Sequence, residues 1–274
     1  MNAPITVGIR KLPVLAVILS AAVASAFSQD RSGSLTPLQF AIEQQRVRLG
    51  SAEVEERRDA ISRLRAMRHP AASRVAVAGL NDAVAIVRAT STTAVLFLPS
   101  EESAAHLLPL LSDKHVLVRR EAAYALGTTR SQAAVPVLID LLRFDKVDEV
   151  RGAAAVALGA IGNDAAVNSL INVLTGQVVQ DKKQKSKPEQ NPFVLRSVAR
   201  ALGQIGNRAA VPVLISTLTN EQSEDDVRRE AAIALGRIGD QTAVPVLRDL
   251  KTARDPYLAA AAEDAIKSIQ RASR

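Results

Sequence analysis

A ten-residue pattern, Val-Arg-x-x-Ala-Ala-x-Ala-Leu-Gly, recurs along the chain and limits the folds open to it. It is clearest at residues 118–127, 150–159, 194–203 and 227–236, and weaker copies begin at Glu56, Val87 and Leu258. Successive copies start 31, 31, 32, 44, 33 and 31 residues apart. Because a fixed period in this range is typical of stacked repeats, the chain is expected to repeat one small unit about seven times.

Each copy of the pattern is predicted to be an amphipathic helix. In the copy that starts at Val227, apolar residues return at Ala231, Leu235 and Ile238, on one face at 3.6 residues per turn. A helix with the pattern Ala-Val-Pro-x-Leu precedes several copies. A lone antiparallel hairpin cannot bury its apolar stripe, so neighbouring hairpins stack. The predicted fold is therefore all-α, an α-solenoid (α/α superhelix) of about seven helix hairpins.

Capping residues, prolines and glycines indicate where the helices begin, bend and end. The first is expected to open at Thr36 and Pro37, with Gln39 completing a capping box. Prolines inside the preceding helices are expected to kink them; these are Pro136, Pro212 and Pro245. Paired glycines at the ends of the patterned helices are interpreted as caps; these are Gly159 with Gly162, Gly203 with Gly206, and Gly236 with Gly239.

This signature resembles the HEAT family, and most of all the short repeats named for the phycobilisome lyases, over residues 36–271. The resemblance alone would imply a bilin-lyase-like enzyme subunit or chaperone. HEAT-type metalloenzymes that hydroxylate a lysine derivative carry repeated His-Glu pairs, whereas His69, His106 and His115 form none. The chain has no cysteine, which excludes thiolate sites. We therefore predict no catalytic residue, no metal site and no cofactor.

The N-terminal residues predict export. Arg10 and Lys11 precede an apolar run over residues 12–23, and Ala24-Ser25-Ala26 matches a signal-peptidase site. The predicted organisation is a signal peptide at 1–26, a short linker at 27–33 and the repeat solenoid at 34–271. A periplasmic or secreted location is expected, with an uncleaved N-terminal membrane anchor as the alternative. Cleavage would lower the formal net charge from +7 to +5, which still favours anionic partners.

Arginines and aspartates recur with the repeat and are interpreted as a structural ladder. Asp is expected to cap the patterned helix, and Arg to pair with it or with a neighbouring unit. The ladder arginines are Arg57, Arg88, Arg119, Arg151 and Arg228. The ladder aspartates are Asp82, Asp113, Asp145, Asp148 and Asp225. A residue repeated in each unit more often serves the scaffold than a single reaction.

Two features that do not repeat are candidates for partner binding. A polar insertion at 175–192 within the solenoid carries Lys182, Lys183, Lys185 and Lys187; it is either a binding loop or a tolerated solvated one. Offsets 2, 6 and 10 of the patterned helices should point away from the core, where Gly152, Val156 and Ala160 leave an apolar gap. The candidates there are Arg120, Tyr124, Val156, Arg196, Arg200, Gln204, Arg229, Ile233 and Arg237.

These observations favour a non-catalytic scaffold of the cell envelope. It is expected to bind a protein or peptide, of acidic character, along the concave face of the solenoid. The alternatives are the lyase-type function that the resemblance implies and a binder of an anionic polymer or nucleic acid. Aromatic residues make up only 3% of the chain, which argues against nucleic acid because base stacking needs them.

Overall fold

The computed structural model describes residues 35–177 and 191–272, which form fourteen α-helices and contain no β-strand. The odd-numbered helices, here called first helices, are α1 Pro37–Arg48, α3 Pro70–Ala76, α5 Ser100–Leu107, α7 Val135–Phe144, α9 Val167–Leu174, α11 Val211–Thr219 and α13 Val244–Asp249. The even-numbered second helices are α2 Val54–Ala66, α4 Ala85–Ala94, α6 Val116–Thr129, α8 Asp148–Ile161, α10 Pro192–Ile205, α12 Asp225–Ile238 and α14 Pro256–Ala272.

This arrangement confirms the predicted α-solenoid of seven hairpins. From α2 onward, each second helix packs against the second helix of the next repeat. The chain divides into two compact units at Ala41/Ile42, inside α1. In the first unit, Thr36 and Gln39 form the expected capping box, with Thr36 N donating to Gln39 Oε1 at 2.9 Å and Gln39 N donating to Thr36 Oγ1 at 3.2 Å.

The prediction that proline kinks the first helices is wrong. Pro136, Pro212 and Pro245 each lie at the second position of an α-helix, directly after a short 3-10 turn. Proline is tolerated there because the first N–H groups of a helix have no intrahelical acceptor. The same 3-10 turn precedes α9 at Asp164–Ala166, where Asn168 takes the place of proline. The turn is therefore a property of the hairpin and does not depend on proline.

The paired glycines have two different roles, so interpreting both members as caps was also wrong. Gly206 ends α10 in the left-handed region with φ 80°, as a C-terminal cap requires. Gly203 lies inside α10, and a Cβ atom built on it would stand 2.6 Å from Ala234 Cα in α12. Gly127, Gly159 and Gly236 face an alanine of the next second helix in the same way. Small residues thus let consecutive second helices approach closely.

Two clusters of buried apolar side chains hold the second unit together. The smaller joins Ile42 of α1 to Ile61 and Leu64 of α2 and to the first residues of the second repeat. The larger is a single cluster that includes described residues from Leu80 to Ile269. Most of its members are alanine, valine and leucine, which explains how a fold of this size uses so few aromatic residues. Among the described residues, no helix is long and apolar enough to span a bilayer.

Candidate binding face and its ion-pair ladders

Three largely buried ion pairs in the first half of the chain link a second helix to the turn that precedes the next second helix. In each pair, Arg Nε and Nη2 donate to the two carboxylate oxygens of an Asp in the next repeat, which is the bidentate geometry that guanidinium favours. The Nε–Oδ2 distances are 2.7 Å for Arg57–Asp82, 2.8 Å for Arg88–Asp113 and 2.7 Å for Arg119–Asp145. These links hold one repeat to the next.

The same aspartates also shape the start of the following helix. Asp82 Oδ1 accepts from Val84 N at 2.8 Å, and Asp113 Oδ1 accepts from His115 N at 2.8 Å. Asp145 Oδ1 accepts from Val147 N at 2.9 Å. Each Asp therefore orients its own backbone turn while it pairs with the preceding repeat, which accounts for its recurrence.

This environment lowers the pKa of two of these carboxyl groups. For Asp82, the hydrogen bond from Arg57 lowers the pKa, burial opposes this, and the Val84 N–H supports it. For Asp113, burial would raise the pKa, but the hydrogen bonds from Arg88 and the His115 N–H outweigh burial. Both carboxylates are thus more acidic in the folded chain than an unfolded aspartate, whose pKa is about 3.9.

The depressed pKa values predict acid sensitivity. A carboxyl group with a lower pKa in the folded state stabilises the fold above its unfolded pKa, and this contribution is lost as the pH falls through the folded pKa. The free energy of unfolding should therefore fall steadily as the pH drops below about 4. Urea titrations over this range would measure it, and Asp113→Asn should show a shallower decline. An equal slope in that variant would contradict the assignment.

The ladder changes form at Arg151 and Arg228. Arg151 Nη1 donates to Asp148 Oδ1 of its own helix at 2.9 Å, and Arg228 Nη1 lies 3.3 Å from Asp225 Oδ1. Asn191, the residue that caps α10, donates from Nδ2 to Asp148 Oδ2 at 2.8 Å. These two arginines are therefore paired within their own repeat, among the described residues, and do not reach the next one.

A second ladder, which the sequence analysis did not predict, occupies the arginine-rich face of the second helices. Arg196 Nη1 lies 3.0 Å from Asp226 Oδ2. Arg200 donates from Nη2 to Glu230 Oε2 at 2.8 Å, and the Glu230 side chain is only 7% exposed. Arg229 Nε lies 3.6 Å from Asp255 Oδ2 and its guanidinium lies over the Tyr257 ring. Three candidates for binding an acidic partner are thus already paired with carboxylates of this chain.

The partners of the second ladder carry a signal that sequence reasoning missed. Arg196 precedes Asp226, and Arg200 precedes Glu230, by 30 residues, which is close to one repeat period. An Arg followed by an acidic residue one period later is the pattern that could have identified them. These pairs join different registers of adjacent helices, so an alignment of equivalent repeat positions does not bring their residues together.

The expected apolar gap in the fourth repeat is partly filled. Gly152 is buried, because the Phe193 ring of α10 lies directly over it. Phe193 also lies beneath the Arg196 guanidinium, with 5.9 Å between Cζ and the ring centroid. An aromatic side chain of α10 thus closes the space above Gly152. Gly152 therefore does not belong to the exposed face as predicted.

The remaining candidates lie on what we call the second-helix face, the surface formed by offsets 6 and 10 of α6, α8, α10 and α12. Offset 6 presents Tyr124 and Ile233, each 37% exposed, and the half-buried Val156. Offset 10 presents Gln204 and Arg237, both exposed. Arg120, at offset 2, pairs with its neighbour Glu121 at 2.8 Å. Lys182, Lys183, Lys185 and Lys187 lie outside the described residues.

A comparison with protein families identifies the repeat. The family model for HEAT repeats matches residues 104–184 and 184–267, which together exceed half of the chain. This chain is a HEAT-repeat protein. The match covers the repeats in which the ten-residue pattern is most regular, and the first two hairpins, before residue 104, continue the same architecture in the structure.

Solved structures similar to this HEAT-repeat protein include the complex of CpcE and CpcF of phycocyanin lyase from Nostoc sp. PCC7120. This chain and that structure share 22% sequence identity with a TM-score of 0.51, and the match covers 89% of this chain and 98% of that chain. Human deoxyhypusine hydroxylase in complex with glycerol shares 18% sequence identity with a TM-score of 0.42, and the match covers 94% of this chain and 99% of that chain. No curated protein matches in sequence. These likenesses concern the fold alone.

The described part of the HEAT-repeat protein contains no group of three or more His, Asp or Glu side chains placed to hold a metal ion. The three histidines lie apart, with His69 and His115 at helix starts and His106 near the end of α5. His69 Nδ1 accepts from Ala71 N at 3.1 Å and so caps α3. This local hydrogen bond gives His69 a structural role.

Proposed function

We propose that this HEAT-repeat protein is a non-catalytic scaffold that binds a protein or peptide through its second-helix face. The observation that carries the proposal is the row of apolar side chains at offset 6, namely Tyr124, Val156 and Ile233. These residues occupy the same register on second helices of one stack. Apolar side chains that recur at one register can form an interaction surface, whereas singly scattered ones carry no such meaning. Arg200, paired with Glu230, holds this register on α10 between Val156 and Ile233.

The electrostatics of the face support recognition by shape and apolar contact more than by a strong positive field. Arg196, Arg200 and Arg229 are paired with carboxylates of the next repeat. An acidic partner would have to compete with these pairs. Arg237, at the edge of the row, forms no ion pair with a described residue and is available to a carboxylate. We therefore propose an apolar anchor on the partner with acidic residues beside it.

We further propose that the protein acts in the cell envelope. The support is the sequence of residues 1–26, with its two basic residues, apolar run and Ala-Ser-Ala site. The lyase-type alternative would act on bilin pigments, and its signature would be visible absorbance on adding bilin to the purified protein. The likeness to phycocyanin lyase supports the shared fold only, because a fold hosts many functions.

Cross-linking and pull-down from the periplasmic fraction test both proposals. The double variant Tyr124→Ser with Ile233→Ser should recover at least about tenfold less of the captured partner, since a central interface residue often contributes about 2 kcal/mol. Val137→Ser is the matched control, because Val137 is 40% exposed on the first helix α7. It should leave recovery unchanged.

Two results would contradict these proposals separately. If the double variant and Val137→Ser retain the same partner equally, the second-helix face is not the binding surface. If the chain is found only in the cytosol with residues 1–26 attached, the proposal of export is wrong. Circular dichroism of each variant would establish that a loss of partner does not reflect loss of the fold.

A further inference from the structure

At the junction of the sixth and seventh repeats, the sequence position of the ladder aspartate holds a residue without a carboxylate. In the first two links, the Asp follows its Arg by 25 residues. The residue 25 positions after Arg228 is Ala253. The junction therefore has the arginine of the ladder, Arg228, but has alanine where other repeats have the aspartate that accepts its hydrogen bonds.

The backbone at Ala253 is nonetheless that of a ladder aspartate. Ala253 follows the last 3-10 turn with φ −58° and ψ 146°. Asp82 and Asp113 follow equivalent turns with φ −60° and ψ values of 145° and 141°. The backbone N–H of Ala253 donates to Leu250 O at 3.0 Å, as that of Asp113 donates to Leu110 O at 3.1 Å. The junction differs from the others in its side chain, while its backbone path is kept.

The capping role of the missing aspartate has moved to another residue. Asp255 accepts from Tyr257 N at 3.1 Å and from Leu258 N at 3.0 Å, and it lies near Arg229. Asp255 therefore serves α14 and the second ladder. No described carboxylate of the seventh repeat pairs with Arg228, whose acidic partner is Asp225 of its own helix.

Among the described residues, Arg228, like Arg151, is paired only within its own repeat. Its side chain is only 13% exposed, yet Nε donates to Leu218 O at 3.0 Å and Nη1 lies 3.3 Å from Asp225 Oδ1. Asp225 itself is 57% exposed. By contrast, Arg88 donates from two nitrogens to both oxygens of a carboxylate. Arg228 has no bidentate carboxylate partner within the described part of the chain.

An open groove of about 680 Å³ lies beside Arg228 and is also lined by Ala253, the residue at the sequence position of the ladder aspartate. We call it the repeat 6/7 groove. Its lining includes Arg228, Ala253, Arg254, Leu250 and Leu258. Arg254 forms no ion pair with a described residue, so a second cation is available there. Glu221 and Asp225 lie at the same groove and would disfavour a highly charged anion.

We propose that the repeat 6/7 groove binds the carboxylate of an Asp or Glu side chain from a partner peptide, which completes the ladder in trans. Arg228 would donate to the carboxylate, Arg254 would add positive charge, and the leucines would contact the peptide. This inference rests on the proposed function, because it assigns the acidic residue of the partner a place. It also places the site for the acidic side chain of the partner away from the arginines of the second ladder.

Arginine Nε–Hε NMR on the full-length chain tests the proposal. The probe is the capped peptide Gly-Gly-Asp-Gly-Gly, with the Asn peptide and acetate as comparisons, and Arg228→Lys assigns the Arg228 signal. The Asp peptide should move this signal saturably, with a dissociation constant on the order of millimolar. The Asn peptide should cause less than about a tenth of that shift, since it lacks the charge-assisted pair.

Ala253→Asp supplies the missing carboxylate from within the chain and should abolish the peptide-induced shift. It should also raise the melting temperature above that of Ala253→Asn, which has the same shape without the charge. An unchanged peptide response in Ala253→Asp, an equal response to the Asn peptide or to acetate, or no response at all would overturn the proposal. Capture of a partner through the second-helix face would survive each of these results, so the two proposals fail independently.

Discussion

Replacing Asp113 with alanine should lower the free energy of unfolding by about 3–5 kcal/mol, the range for removing one member of a buried ion pair. The Arg88 side chain is 9% exposed and that of Asp113 is 11% exposed. Without the carboxylate, the guanidinium would keep its buried position and lose two hydrogen bonds, and the His115 N–H would lose its acceptor. Urea unfolding followed by circular dichroism would measure the loss.

The matched control is Glu43→Ala, which removes the exposed partner of Arg46 in a pair that is 33% and 58% exposed. Such surface pairs contribute at most about 1 kcal/mol. Because a repeat protein can unfold in parts, hydrogen exchange should show the Asp113→Ala effect concentrated in the second and third repeats. If Asp113→Ala costs no more than Glu43→Ala, the first ladder does not hold the repeats together.

Replacing Gly203 with alanine should destabilise the protein by about 1–3 kcal/mol, the usual cost of overpacking a core. The added methyl group would stand 2.6 Å from Ala234 Cα and 2.8 Å from Ala234 Cβ. Both neighbours are rigid parts of α12, so the two helices would have to separate. The sign is informative, because helix propensity alone predicts that Gly→Ala stabilises a helix interior by about 1 kcal/mol.

Gly206→Ala separates this steric effect from the effect of backbone conformation. No atom lies within 4 Å of a Cβ built on Gly206, but its φ is 80°, which costs an L-residue about 1–2 kcal/mol. Adding Ala234→Gly to Gly203→Ala would remove only the contact with Ala234 Cβ and keep the 2.6 Å contact with Cα, so it should restore little of the lost stability. Stabilisation by Gly203→Ala would show that the helices do not meet closely at this point.

Much of the fold could be predicted because each repeat carries the same pattern of apolar residues. The spacing of apolar residues in the patterned segments fixes one buried face at the helical period, and the seven copies give the seven second helices. The capping box at Thr36 and the left-handed ends at Gly162, Gly206 and Gly239 follow from local chemistry. Such features depend on residues close together in the chain, so the sequence determines them directly.

The binding face was less predictable because its chemistry depends on distant residues. From the sequence, the arginines at 196, 200 and 229 are expected to form an unpaired positive stripe. In the structure, carboxylates of the next repeat pair with all three. Gly152 is predicted to be exposed, but in the structure the Phe193 ring covers it. In both cases the decisive contact joins two repeats whose register only the stacking fixes.

The helices, the number of repeats and the recurring Arg and Asp positions follow from the order of the residues alone, since local spacing carries them. Which Arg meets which acidic residue depends on how the repeats stack. Stacking also makes glycines such as Gly203 serve helix packing, and it leaves Arg228 paired with Asp225 of its own helix and with no described carboxylate of the next repeat. The physical reason is that an ion pair or a close helix contact depends on the distance between side chains in adjacent repeats, which stacking sets to within an ångström and a period of about 31 residues does not.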